Sequence, residues 1–310
     1  MLKAVVGATA TIAALLVGEL TLRAARFEFH LYPRVEFGWP DPEELEEHYE
    51  DDPDLFWVPE DYAERLEMAR KAPPGVVFMG DSVTEFGTYP QQTIQLLHTR
   101  RPALASGVSL GVGGWSSEQG LAQLTRDVLA LKPKVITIYY GWNDHWIALG
   151  PPDPELRRLT SVADRLRLVQ LVKKTRMVLA ADPARPNRVS LSRYRSNLET
   201  MARLGAAAGA RVILLTAPSN HVRGREPEYL ALRHLRRLDE LVPLHQAYVE
   251  ATRAAAAATP ATLCDIAADL ESDAVVRSSY FRADGIHLAE AGDRRVAELL
   301  AECIERAFAE

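Results

Sequence analysis

Four short stretches combine reactive side chains with glycine, and each follows an apolar run or precedes a helical one. Gly80-Asp81-Ser82-Val83 comes directly after Val76-Val77-Phe78-Met79. A serine hydroxyl becomes a nucleophile when a base takes its proton. At a strand-to-helix turn it stands at the carboxyl edge of a sheet, with its own N–H facing the crevice. Gly111-Val112-Gly113-Gly114-Trp115 follows the run Ala105–Leu110, and its glycines let the backbone approach a ligand closely. Gly141-Trp142-Asn143-Asp144 follows Val135–Tyr140, and the Asn143 amide can donate to an oxyanion. Asp284-Gly285-Ile286-His287 stands before the last helical stretch. An Asp three residues before a His can hold one imidazole nitrogen while the other faces a serine. Each stretch alone reads as an ordinary turn. Their joint occurrence, in this order, points to nucleophilic attack on a carbonyl.

Neighbouring residues are assigned lesser parts. Asp81 reads as a turn and helix-start residue in preference to a second base. Of the eight histidines only His287 has a catalytic context, and His145, beside the Asn143 loop, is a lesser candidate. Trp115, Trp142 and Trp146 fall on or next to the site loops, either as core aromatics or as a wall for an acyl chain or sugar ring.

Other chemistries lack their residues. The glycines do not match the dinucleotide spacing G-x-G-x-x-G, and no Lys-Ser/Thr phosphate loop is present. Cys264 and Cys303 are the only cysteines in 310 residues, which excludes a disulfide-built scaffold and a Cys-rich zinc site. They form one bridge or stand as two buried thiols. The acidic run Asp41–Asp54 lacks the spacing and glycine of a calcium loop. A formal charge of −6, from 36 basic and 42 acidic residues, argues against nucleic acid as a partner.

The elements that must position these residues follow from hydropathy patterning. From Pro73 onward, short β-rich runs at Val76–Met79, Ala105–Leu110, Val135–Tyr140, Val212–Thr216 and Thr262–Asp265 alternate with helical stretches. The stretches are Tyr89–Thr99, Glu118–Leu131, Leu191–Ala208, Leu230–Ala258 and Glu290–Phe308. Apolar runs without alternation suit strands buried on both faces. The expected fold is therefore α/β: three α/β/α layers around a mostly parallel five-stranded sheet, over residues 73–310. Residues 145–195 interrupt the order with a basic insertion. It carries 11 Lys/Arg against two acids between Leu156 and Arg195, and Leu159, Val162, Leu166, Val169 and Val172 keep helical spacing. It reads as a surface helix, a lid or a face resting on anionic lipid. Residues 24–72, with nine acids among the 14 positions of 41–54, read as a solvated spacer.

Residues 1–23 are expected to form one transmembrane helix. Positions 4–22 are apolar apart from Glu19 and would span roughly 28 Å at about 1.5 Å per residue, against a bilayer core of roughly 30 Å. The run ends in Leu20-Thr21-Leu22-Arg23, a poor small-x-small cleavage site, so an uncleaved anchor is preferred to a cleaved signal or a buried helix. Lys and Arg flanks weakly favour the long part staying inside, but long domains translocate largely regardless of charge. The domain is expected outside the cytoplasm, with the bilayer as partner through 4–22.

The four stretches resemble the blocks of the SGNH/GDSL hydrolase superfamily over roughly residues 74–308. The resemblance implies an SGNH (flavodoxin-like) fold with Ser82 as nucleophile and Asp284 with His287 as the Asp-x-x-His pair. It makes Ser82, Gly114 and Asn143 the oxyanion hole. Tyr194-Arg195-Ser196-Asn197-Leu198 is also similar to many bacterial members. Val83 stands where the motif has Leu, and Ser109 where block two often has Asn, which removes a supporting hydrogen bond near Gly114. The implied activity is hydrolysis of acyl esters, in lipid or acylated glycan at a cell envelope, with no metal or organic cofactor. O-acyl transfer from the same site, or a structural accessory subunit of a membrane complex that retains the fold, are the alternatives.

Overall fold

The computed structural model describes residues 2–28, 48–148, 152–159, 162–179 and 186–309. Helix α1 (Leu2–Ala24) comes first, then an antiparallel hairpin of β1 (Tyr49–Asp52) and β2 (Phe56–Pro59), then α2 (Tyr62–Lys71). The central sheet follows: β3 (Val76–Gly80), β4 (Gly107–Ser109), β5 (Val135–Tyr139), β6 (Arg211–Leu215) and β7 (Thr262–Cys264). Its order is β4-β3-β5-β6-β7 with every pair parallel. This is the expected five-stranded parallel sheet in three layers.

The strands lack alternation because both faces are covered. Val77, Met79, Ile136, Ile138, Val212 and Leu214 belong to one buried cluster. Val76, Phe78, Val135, Tyr139, Ile213 and Leu215 belong to the other, as the period of two along a strand requires. Helices α5 (Ser117–Gln123), α7 (Leu191–Ala207) and α8 (Leu241–Ala257) supply the first face with Ala122, Leu198, Met201, Tyr248 and Ala255. Helices α4 (Tyr89–Arg100) and α9 (Glu290–Ala307) supply the second with Tyr89, Leu97, Val296 and Leu300. A disulfide between Cys264 and Cys303 ties β7 to α9.

Two helical stretches are more broken than their periodicity suggests. After Gln123 the chain runs through a π-turn at Leu124–Val128 and a 3₁₀ turn at Leu129–Leu131, and Lys132 ends it with φ of 49°. The stretch 230–258 divides into Leu230–Arg233 and α8, which begins two residues before Pro243, where a first helical turn tolerates proline.

The acidic segment is not a spacer where it is described. Leu55, Phe56, Tyr62 and Leu66 are buried against the domain. Asp52 receives both hydrogen bonds of Arg126 Nη1, at 2.7 and 2.8 Å, so its charge is answered by a residue 74 positions away. Positions 29–47, including most of the acidic run, lie outside the described residues.

Among the described residues no helix is long and apolar enough to cross a membrane, so the expected span at 4–22 is without support. Helix α1 instead docks by its C-terminal half on the basic insertion, whose main helix is α6 (Arg167–Leu179). The Glu19 carboxylate accepts from the N–H groups of Arg167 and Leu168 at 3.1 and 3.0 Å, capping α6, and pairs with Arg23 at 2.8 Å. Leu168 packs onto Gly18.

Candidate active site

The loops after β3, β4 and β5 leave the same edge of the sheet. Adjacent strands β3 and β5 end together, with Gly80 opposite Tyr139, and the chain crosses to opposite sides from them. Such a switch point opens a crevice at the carboxyl edge. Ser82 begins the short helix α3 (Ser82–Phe86), capped by Asp81, whose side chain accepts from Val83 N at 3.0 Å. As a first-turn residue, Ser82 has an N–H without an intrahelical acceptor. The turn is tight: a Cβ on Gly80 would stand 1.9 Å from Thr84 Oγ1.

Ser82 is buried, at 5% exposure, yet its hydroxyl meets the other end of the chain. His287 Nε2 lies 2.9 Å from Ser82 Oγ, and His287 Nδ1 lies 2.8 Å from Asp284 Oδ2. The second oxygen of Asp284 accepts from the N–H groups of Ile286 and His287 at 2.7 and 2.8 Å. Burial raises the Asp284 carboxyl, but the His287 hydrogen bond and charge and these two N–H groups outweigh it and hold it at about 2. Asp284 is thus an anion with both oxygens hydrogen-bonded. Its backbone carbonyl also accepts from His221 Nε2 at 3.0 Å.

Asn143, 9% exposed, turns its amide toward the same place, with Nδ2 at 3.4 Å from Asp81 Oδ2. Burial lifts the Asp81 carboxyl to about 6, against the opposing pull of the Val83 N–H, the His287 charge and the Asn143 amide. Next to Asn143, buried Asp144 accepts from Ser117 N at 3.0 Å and Ser117 Oγ at 2.5 Å, which fastens the β5 loop to the start of α5. Asn197 donates to Ser117 Oγ and Glu118 Oε1, both at 2.9 Å, so the Tyr194–Leu198 stretch holds that helix start in place.

The Gly111–Trp115 loop is pinned peptide by peptide. Gly113 N donates to Glu85 Oε2 at 2.5 Å, and Tyr49 OH donates to the same oxygen at 2.6 Å. Trp57 Nε1 donates to Gly113 O at 2.9 Å, and Arg188 Nη1 to Gly114 O at 2.7 Å. Gly114 has φ of 76°, and a Cβ there would meet the Trp57 ring at 3.1 Å, so only glycine suits the position. Arg188 is itself buried and paired with buried Asp153 at 2.8 Å. Ser109 Oγ reaches Thr84 O at 3.4 Å.

The sequence signal for these supports is uneven. Glu85 lies three residues after Ser82, a helical spacing that puts it on the same face. Tyr49 and Trp57 stand beside a run of acids that hides a hairpin. Nothing local announces that Arg188 meets Asp153 across 35 positions.

The three tryptophans belong to the core. Trp115, Trp142 and Trp146 are buried, and Trp142 stacks on the His245 ring with centroids 3.8 Å apart. They make no open wall here. His145 is buried beside them, with Nε2 at 3.1 Å from His245 Nδ1, and burial pushes its pKa down. Phe86 is an exposed aromatic near His287, with ring centroids 6.5 Å apart. Among the described residues no group of three His, Cys, Asp or Glu could hold a metal ion.

Residues 78–295 match the model of the GDSL-like lipase/acylhydrolase family. The chain belongs to that family. As a GDSL-like member it is a hydrolase of ester bonds. Solved structures agree in fold. A lipase/acylhydrolase from Enterococcus faecalis superposes with a TM-score of 0.51 at 17% identity, covering 75% of this chain and 96% of that one. A GDSL-like lipase from Bacteroides thetaiotaomicron gives 0.51 at 20% identity, covering 80% and 96%. No curated protein matches the chain in sequence.

Proposed function

We propose that this GDSL-like hydrolase cleaves acyl esters through Ser82, His287 and Asp284, with an oxyanion hole of Ser82 N–H, Gly114 N–H and the Asn143 amide. The observation that carries the reading is the continuous chain of contacts from Ser82 Oγ through His287 to Asp284, at 2.9 and 2.8 Å. His287 Nε2 takes the hydroxyl proton as Ser82 Oγ attacks the ester carbonyl carbon. The oxyanion that forms is met by the three donors, and Asp284 stabilises the imidazolium. His287 then returns the proton to the leaving alcohol. Water, deprotonated by His287, attacks the acyl-enzyme and frees the carboxylic acid and Ser82. Ser82→Ala is expected to abolish turnover of a small aryl ester and labelling by a fluorophosphonate while the protein stays folded. Retained labelling in that variant removes Ser82 from the role, and no labelling of the wild type favours a structural subunit.

We further propose that the enzyme works outside the cytoplasm, attached to a bilayer by α1. Two features support this. Structural disulfides such as Cys264–Cys303 persist in oxidising compartments. Ile12, Leu15, Leu16, Val17 and Leu20 also leave α1 with exposed apolar side chains. Protease added to intact spheroplasts is expected to digest the domain; protection until lysis overturns the assignment.

A further inference from the structure

We infer that the N-terminal hairpin β1–β2, outside the 78–295 region shared with the family, completes the oxyanion hole, with Trp57 as the positioning residue for the Gly114 N–H. The inference rests on the ester-hydrolase reading above. It follows from which peptide Trp57 touches. The carbonyl of Gly113 and the N–H of Gly114 belong to one planar unit, and no peptide bond among the described residues is cis. In a trans peptide the N–H points opposite the C=O. Trp57 Nε1, by donating to Gly113 O at 2.9 Å, therefore sets the direction in which the Gly114 N–H points. It also polarises that peptide, making the N–H a better donor to a developing negative charge.

The peptides on either side are held as well. The Gly113 N–H is taken by Glu85, which Tyr49 of β1 holds from behind, and the Gly114 carbonyl by Arg188. A glycine-rich loop has the widest conformational freedom of any segment. Here it is left one orientation, and two of its constraints come from the hairpin. The hairpin is in turn fixed to the domain. Trp57 pairs with Asp51 across the ladder, and its carbonyl accepts from Trp115 Nε1 at 3.0 Å. Buried Phe56 holds φ of 74°, a left-handed conformation kept by the packing around it.

The test is Trp57→Phe in the full chain, which keeps a ring and loses the N–H. With p-nitrophenyl acetate, kcat is expected to fall on the order of ten- to a hundredfold while KM stays within about threefold, because oxyanion contacts strengthen in the transition state. The rate of fluorophosphonate labelling should fall with kcat. A kcat within about twofold of wild type, or a loss confined to KM, overturns the inference. If Trp57→Phe does not fold, Tyr49→Phe decides: a kcat reduced by at least about threefold supports the hairpin's role, and a wild-type kcat overturns it. Ser82→Ala is run beside them. Residual turnover in Ser82→Ala defeats the catalytic reading itself, whereas an inactive Ser82→Ala with a normal Trp57→Phe defeats this inference alone.

Discussion

Asp81→Asn should make the protein more stable and less active, and both effects can be sized. The Asp81 side chain is 1% exposed and its carboxyl is raised from 3.8 to about 6, mainly by burial. Between those values the native state keeps a proton that the unfolded chain has lost. Wild-type stability therefore falls as the pH rises through that window, and the loss is complete above the native pKa. The linkage relation gives about 1 kcal/mol lost at about pH 4.5 and about 3 kcal/mol at about pH 7.5. Asparagine carries no charge and keeps the oxygen that caps α3 through Val83 N, so it avoids this penalty at little cost to the cap. Its new NH₂, however, meets the Asn143 amide donor where Asp81 Oδ2 stood. Urea unfolding of both proteins at the two pH values is the assay. The variant's advantage should grow by about 2 kcal/mol from the lower to the higher pH. Its kcat should drop at least about tenfold as Asn143 loses its orienting acceptor. Parallel stability profiles would refute the assignment of a desolvated, buried carboxylate next to Ser82.

Two further outcomes test other parts of the site and fold. Asn143→Ala should lower kcat on the order of 10²–10³-fold with a much smaller change in KM, measured on the same aryl ester; a rise in KM with kcat preserved would make Asn143 a substrate-binding residue. Replacing both Cys264 and Cys303 by Ala opens a ring with a sequence separation of 39 and should cost about 2–4 kcal/mol in urea unfolding, and a variant as stable as wild type would mean the bridge constrains little.

The sheet was legible in the sequence because strands buried on both faces must be apolar throughout, and runs such as Val135–Tyr139 have no other use for that pattern. The candidate site was legible where chemistry and backbone coincide. Ser82, Asn143 and the Asp284–His287 pair each sit in a turn whose glycine or capping residue marks the strand or helix boundary. What escaped was every feature settled by distant partners. Asp52 reads as one more solvated acid until Arg126 is folded against it, and Tyr49 and Trp57 then fall into place on a four-residue ladder. Asp153 and Arg188 read as surface charges because nothing local shows that they neutralise each other in the interior. Trp115, Trp142 and Trp146 do stand next to the loops, but position along the chain does not say which way a ring faces. At α1 the apolar run is real, and the tertiary contacts of Glu19 with α6 are what the run alone does not disclose.

The Cys264–Cys303 bridge has a further consequence for how the machinery fails and recovers. The bridge closes the end of β7 onto α9, and the chain between the two cysteines carries both Asp284 and His287. The proposed base and its orienting acid therefore ride on a covalent ring, while Ser82, at the start of the helix after β3, lies outside it. Local opening is the cheapest excursion a native protein makes, and it proceeds in contiguous units. When this unit opens, the ring limits how far the imidazole can wander and keeps its local concentration near the serine high. Loss of activity by such an excursion is then the undocking of one short loop, and its return needs no search by the rest of the chain.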